Sequence, residues 1–277
     1  MLIILEMANN HQGDVELGKR IIREHAEVTK KYPQFQYAFK FQYRDLPTFI
    51  HHSADENHKY VKRFRQTNLS RRDRLVLKQF AEGLGFMTAC TPFDEQSVID
   101  VADHGYDILK VGSPSFSDWK LWDCIFKVWR GPIIASVGGA TTRDMDYVVG
   151  VVMSFARDLT LMHCVSEYPT KEENLQLNQI DWLTKRYPYI PIGYSSHCPT
   201  LIDIDAVVHK NVVAIERHVC VEPKPNGYSL NPEEVDMELS IIDKALEICG
   251  VKDAHWNGPI PELFKRKEIG GRMWWKP

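Results

Sequence analysis

The sequence predicts one (β/α)8 barrel over residues 1–255, with a C-terminal tail over 256–277. Three observations carry that expectation. Eight short runs rich in Val, Ile and Phe alternate with longer amphipathic segments, the rhythm of strand and helix. The 277 residues suit a fold that takes roughly 250 residues as one domain. Every apolar run ends in polar or ionisable residues, at the end where such barrels build their sites. A doubly wound open sheet is the alternative. It usually carries a Gly-rich phosphate turn after its first strand, and here that turn reads "MANNHQGD", with no GxGxxG.

The strands in order are "LIILEM" (2–7), "YAFKFQY" (37–43), "FMTACT" (86–91), "ILKVGS" (108–113), "PIIASVG" (132–138), "LTLMHCVS" (159–166), "PIGYSSH" (191–197) and "VVAIERHV" (212–219). In the first helix, Leu17, Ile21, Ile22 and Val28 fall close to one face at 3.6 spacing. Further helices are expected over 71–84, 97–104, 119–129, 142–156, 177–187, 201–210 and 232–249. "TTRD" (141–144) and "NPEE" (231–234) read as helix starts, "GLG" (83–85) and "HG" (104–105) as stops.

Composition narrows the function classes. At 44% hydrophobic and 26% charged the chain is ordinary for a globular protein. Lys plus Arg total 34 against 37 Asp plus Glu, a net charge of −3 with no basic stripe, so nucleic acid is not expected and anionic ligands must be met by local positive charge. The apolar stretch "VVGVVMSFA" is too short for a bilayer, and the N-terminus reaches Glu6 too soon for a signal peptide. Six cysteines (90, 124, 164, 198, 220 and 249) show no CxxC spacing and read as buried reduced thiols of a cytoplasmic protein.

The strand ends deliver Glu6, Lys40 with Gln42, Thr91, Lys110 with Ser113, Ser136, Ser166 with Tyr168, Ser195 with His197, and His218. Each is weak alone, because most Lys and Ser are solvated edge residues. Their coincidence at eight strand ends is the signal. Two lysines among hydroxyls suit a small ligand with phosphate and carboxylate groups. The glycines of "KVGSPS" and "SVGGAT" can bring backbone N–H groups to anionic oxygens. His197 and His218, ending adjacent strands, can reach one divalent metal; two hydrogen-bonding histidines are the bland alternative. His163 is expected to pack in the barrel rather than to bind a ligand.

The motifs "EMANNHQGD", "KFQY", "LGFMTACTPFD", "LKVGS", "SVGG", "HCVSEYPT", "GYSSH" and "AIERHV" occur in an order that resembles the sialic acid synthase (N-acetylneuraminate synthase) family, over about residues 2 to 250. The resemblance implies a TIM barrel that condenses phosphoenolpyruvate with a sugar aldehyde, forming a 2-keto-3-deoxy sugar acid and releasing phosphate. It implies phosphoenolpyruvate contacts at Lys40, Thr91, Lys110, Ser113, Ser136 and Ser195. It implies Mn2+ or Mg2+ at His197 and His218, an acid at Glu6, and substrate-pocket positions at Asn10, Gln42, Phe93 and Tyr168. Glu6, Lys40, Lys110 and His197 are the catalytic candidates.

The departures from the family lie in the sugar half of the pattern. Pro114-Ser115 replaces the usual Gly-Glu, Ser195-Ser196-His197 replaces Ser-Asp-His, Ser166 stands where Asn is frequent, and "EPKPNGYSLNP" lacks a Pro-Asp-His stretch. The family's C-terminal antifreeze-like domain, which reaches into a partner's site, is not expected here. A homodimer mate, or a separate cap protein, docking on the tail at Trp274 and Trp275 is the expected substitute; packing of the two rings against their own barrel is the bland alternative. Two other classes stay open: a pyruvate-type aldolase or lyase using Lys110 as a Schiff base, and a silent paralogue acting as a binding subunit.

Overall fold

The computed structural model describes residues 1–155, 157–249, 266–269 and 272–275. Eight parallel strands, β1 (Leu2–Glu6), β2 (Gln36–Tyr43), β3 (Met87–Pro92), β4 (Ile108–Val111), β5 (Ile133–Ser136), β6 (Leu159–Cys164), β7 (Ile192–Ser196) and β8 (Ala214–His218), pair in sequence order and close β8 onto β1. All eight predicted strands are present. Several stop earlier than their apolar runs; β4 ends at Val111 because Ser113–Ser115 turns into a 3-10 helix with Pro114 in its first turn.

The surrounding helices are α1 (Val15–Thr29), α2 (Leu46–Phe49), α3 (Lys59–Gln66), α4 (Arg71–Gly83), α5 (Glu95–Asp103), α6 (Trp119–Val128), α7 (Thr142–Ser154), α8 (Asn178–Arg186), α9 (Ile202–Val208) and α10 (Pro232–Cys249). Asp14 caps α1 by accepting from the Glu16 and Leu17 amides, and Ile21, Ile22, Ala26 and Val28 then face the barrel. Thr141 and Asp144 form the capping box that "TTRD" foreshadows. The short helices α2 and α3 were not expected; they lie between β2 and α4 and bury almost nothing beyond Val61. No helix among the described residues is long and apolar enough to cross a membrane.

Alternation along the strands sorts the side chains. Outward residues such as Leu5, Phe39, Leu109 and Ile215 fill the layer under the helices. Inward, Ile4, Ala38, Ala89, Ile108, Ile134, Met162 and Ala214 form an apolar floor inside the barrel. Gly193 belongs to that floor: a Cβ there would meet the Met162 methyl at 2.9 Å, so glycine makes room for methionine. Two residues further along, seven of the eight strands turn polar, and β6 places Cys164 there. His163, expected to pack in the barrel, lies instead on the outer face of β6; its Nε2 is 2.9 Å from the Leu175 carbonyl and its ring stacks on Tyr194.

On the outside of β8, Arg217 is 1% exposed and ties the last helices to the barrel. Its Nε donates to Glu238 of α10 at 2.7 Å and its Nη2 to Asp203 of α9 at 2.8 Å. Burial raises the Glu238 carboxyl to about 7 in spite of Arg217. The C-terminal strands β9 (Arg266–Ile269) and β10 (Arg272–Trp275) pair antiparallel, with Trp274 opposite Lys267. The surroundings of the Trp274 and Trp275 side chains, and the boundary expected at residue 255, lie outside the described residues.

His25, fully buried in α1, is held at about 4 by burial, which overcomes the opposing pull of the Ile21 and Leu230 carbonyls. Below pH 6.5 the unfolded chain takes up a proton that the folded form refuses. Stability should therefore fall by about 3 kcal/mol as the pH drops from 6.5 to 4. Chemical denaturation across that range checks this. His25→Gln should flatten the dependence, and an equally steep loss in the variant would assign it elsewhere.

Candidate active site

The polar layer above the apolar floor holds four charges. Lys40 on β2 pairs with Glu6 on β1, and its Nζ lies 3.7 Å from Glu216 Oε2 on β8. Lys110 on β4 reaches the same Glu216 oxygen at 2.9 Å. All four side chains are 5% exposed or less. Hydroxyls complete the layer: Lys40 donates to Thr91 Oγ1 at 3.0 Å and Ser195 donates to Glu216 Oε1 at 3.0 Å, with Ser136 buried on β5.

The electrostatics follow from this packing. Burial pulls Lys40 down to about 8, with Lys110 adding to the fall and Glu216 opposing it. Burial alone would raise the Glu216 carboxyl, but Lys110 and Lys40 together hold it below the ordinary carboxylate range. The Glu216 carboxylate between two ammonium groups, with Glu6 beside Lys40, supplies the counter-charge that a dry interior demands.

Glu216 was absent from the expected site. Its signal was present in "AIERHV", since it lies two residues before His218 and so shares its inward face. Ser196, by contrast, points outward, where its hydroxyl meets Asp203 and the Arg217 guanidinium. The family's missing acid at 196 therefore leaves this interior untouched. Ser115 is buried in the 3-10 turn after β4.

At the mouth, the His197 and His218 rings lie 5.3 Å apart between centroids. Tyr168 packs on His197 at 4.1 Å, and Tyr228 stands 5.2 Å from His218. Burial holds the His197 imidazole at about 4 and His218 well below the usual range, so both are neutral near pH 7. The Val165 carbonyl lies 2.9 Å from His197 Nδ1, which fixes the proton there and leaves Nε2 with a free lone pair. These two imidazoles suit a divalent ion. No group of three or more ligating side chains stands among the described residues, so such an ion would keep positions for water or substrate.

Other expected residues have different surroundings. The Asn10 amide donates to the Val219 carbonyl at 2.8 Å and to Ser229 Oγ at 3.0 Å, and its carbonyl accepts from Asn226, so it joins the loops after β1 and β8. Ser113 Oγ touches Cys164 Sγ at 3.0 Å and accepts from the Gly138 amide at 3.2 Å. A Cβ at Gly138 would meet Cys164, Ser166 and Ser113 within 2.9 Å, which accounts for glycine in "SVGG". Gln42 and Phe93 sit at the rim, not in the charged layer: Gln42 accepts from Arg44 at 2.6 Å, and Phe93 lies under the Arg44 guanidinium at 4.0 Å.

Comparison with known proteins fits this architecture. The crystal structure described as a spore coat polysaccharide biosynthesis protein E of Chromobacterium violaceum superposes with a TM-score of 0.88 at 39% identity, covering 92% of this chain and 78% of that one. Human N-acetylneuraminate-9-phosphate synthase is 29% identical over 256 residues, 88% of this chain and 70% of its own length. The N,N'-diacetyllegionaminic acid synthase of Legionella pneumophila is 26% identical over 95% of this chain and 78% of its own. The NeuB family matches residues 20–253, from the middle of α1 past the end of α10, and the chain belongs to that family.

Proposed function

We propose that the chain is a synthase that condenses phosphoenolpyruvate with a sugar aldehyde, giving a 2-keto-3-deoxy sugar acid of the sialic acid type and free phosphate. The observation that carries this reading is the pair of buried lysines, Lys40 and Lys110, that share one carboxylate at the polar end of a NeuB-family barrel. Lys40 and Lys110 would receive the phosphate and carboxylate of phosphoenolpyruvate, with Thr91, Ser136 and Ser195 adding hydroxyl donors. They fix the geometry in which the enol C3 faces the aldehyde carbon, so the new C–C bond forms between oriented partners.

Glu6, paired with Lys40 at the same level, is placed to take a proton from the water that adds at C2 before the C–O bond to phosphate breaks, or to hold a sugar hydroxyl. His197 and His218 would hold a Mn2+ or Mg2+ ion, which when bound supplies Lewis acidity to a carbonyl oxygen. Tyr168 and Tyr228 flank those imidazoles and narrow the path of water to them. The ion pair from Lys110 to Glu216 works against the free amine that a Schiff-base aldolase needs.

Two outcomes test the reading. Lys40→Ala and Lys110→Ala should each weaken phosphoenolpyruvate binding by about 1.5–3 kcal/mol in calorimetry, the scale of a charge-assisted hydrogen bond. Unchanged affinity in both, or no phosphate release from phosphoenolpyruvate with any of a panel of aldoses plus Mn2+, would refute it. Glu216→Gln leaves Lys110 without its counter-charge and should cost about 3 kcal/mol of stability or more. Saturating phosphoenolpyruvate should recover part of that loss in thermal unfolding, because its anionic groups take over the neutralisation; a ligand-independent loss would place the lysines outside the binding site.

A further inference from the structure

Arg44 is a buried cation, and no carboxylate among the described residues forms an ion pair with it. It follows Lys40 and Gln42 on the inward face of β2, one step beyond the strand's end. The rings of Phe93, Phe64 and Phe49 stand around its guanidinium, at 4.0, 4.5 and 5.6 Å from the central carbon to the ring centroids. Only 9% of the residue is exposed, and its Nε is buried without a hydrogen-bond partner. The nearby acids are engaged elsewhere. Asp94 accepts from the Asp45 amide and from Ser97, and Asp100 and Asp103 pair with Arg71. Burial, with Arg74 adding to the effect, lowers the Arg44 pKa to about 9. Aromatic faces offset only part of the cost of a desolvated guanidinium.

Arg44 and Arg74 line one small cavity of about 30 Å³, together with Asn9, His11, Gln42 and Asn68 and with no Asp or Glu in the wall. Arg74 also forms no ion pair among the described residues. The hydrogen bonds inside this wall leave it rich in donors. Gln42 Oε1 accepts from Arg44 Nη2 at 2.6 Å, and Asn68 Oδ1 accepts from Arg74 Nη2 at 2.9 Å. Each amide has turned its oxygen to an arginine, and its N–H2 group meets no protein acceptor among the described residues. His11 Nδ1 accepts from the Gly13 amide at 3.0 Å, and burial holds the ring neutral, at about 4, so its proton sits on Nε2. A wall of two cations and surplus N–H groups is complementary to an anion. Roughly 10–15 Å³ of such space admits one water, so a halide fits this cavity and a phosphate or a sugar acid does not.

We propose that this cavity binds a monatomic anion, chloride in ordinary salt, held by the Arg44 and Arg74 guanidinium groups and the N–H2 groups of Gln42 and Asn68. The site does not depend on the synthase reading above. It joins three stretches of chain that are distant in sequence: Asn9 and His11 after β1, Gln42 and Arg44 at the end of β2, and Asn68 and Arg74 around the start of α4. A water molecule there satisfies hydrogen bonds but leaves both charges uncompensated, whereas a halide does both. Binding to the folded chain alone stabilises that junction by mass action. Asn68 is exposed, so the ion enters from the solvent side without opening the barrel.

The test uses the full chain without substrates. Thermal unfolding is compared in sodium chloride and in sodium methanesulfonate, whose anion is too large for the cavity, at equal ionic strength. Each tenfold rise in chloride above its dissociation constant should lift the Tm by about 3 °C, and methanesulfonate should not. Crystals soaked in bromide should show an anomalous scattering peak between Arg44 and Arg74. Asn68→Asp sets a carboxylate in the wall, and Arg74→Gln removes one of the two cations; each should cut the chloride response to less than half. Three results overturn the proposal: equal Tm values in the two salts, a bromide map without the peak, which assigns the cavity to water, or a response that stays above half in either variant. Should one variant fail to fold, the other decides.

Discussion

The structure depends on one arrangement: two lysines and two glutamates in a layer of the barrel that water does not reach. Lys40 touches Glu6 and approaches Glu216, and Lys110 shares the same Glu216 oxygen. Four isolated charges there would be prohibitive, whereas two of each sign within one layer make the interior neutral. The closed barrel makes this feasible, because it fixes which residues stand level. Glu6 is in register with Lys40 on one side and with His218 on the other, and Ser195 with Glu216. The apolar floor below sets the depth of the layer, and Gly193 and Met162 keep that floor filled.

A ready-made set of compensated charges is a good receptor for a polyanion. The lysines are already desolvated and oriented, so their reorganisation on binding is small. Binding requires only that ligand oxygens compete with Glu6 and Glu216 for the ammonium groups. The histidine pair one step higher is neutral, because burial and the nearby ammonium groups disfavour imidazolium. Carboxylate-paired ammonium groups at depth and neutral imidazoles at the mouth give the interior two different characters: the first present charge and the second lone pairs.

Much of this was legible in the sequence because a barrel strand has a strict two-residue period and a defined functional end. Lys40, Thr91, Lys110, Ser136, Ser195, His197 and His218 are all brought to one end of the barrel, in the order in which the strands were read. Glu216 escaped because attention fell on the last residue of its strand, although the same period places it beneath His218. The helices α2 and α3 were not legible for a different reason. "KYVKRFRQ" buries a single residue, and what anchors the segment is Phe64, edge-on to Phe49 and under the Arg44 guanidinium, a tertiary contact without local periodicity. The Asn10 contacts to Val219 and Ser229 span more than 200 residues and leave no local trace either.

The positions where the chain departs from its family sort by depth. Lys40, Thr91, Lys110 and Ser195, where the sequence resembles the family, lie in or against a buried cluster that a change of charge would unbalance. Departures gather above it or outside it. Ser196 faces the Arg217 network, where Asp203 and Glu238 supply the carboxylates. "EPKPNGYSLNP" places Tyr228 against His218 while Asn226 braces Asn10. The rim carries no such balance to preserve.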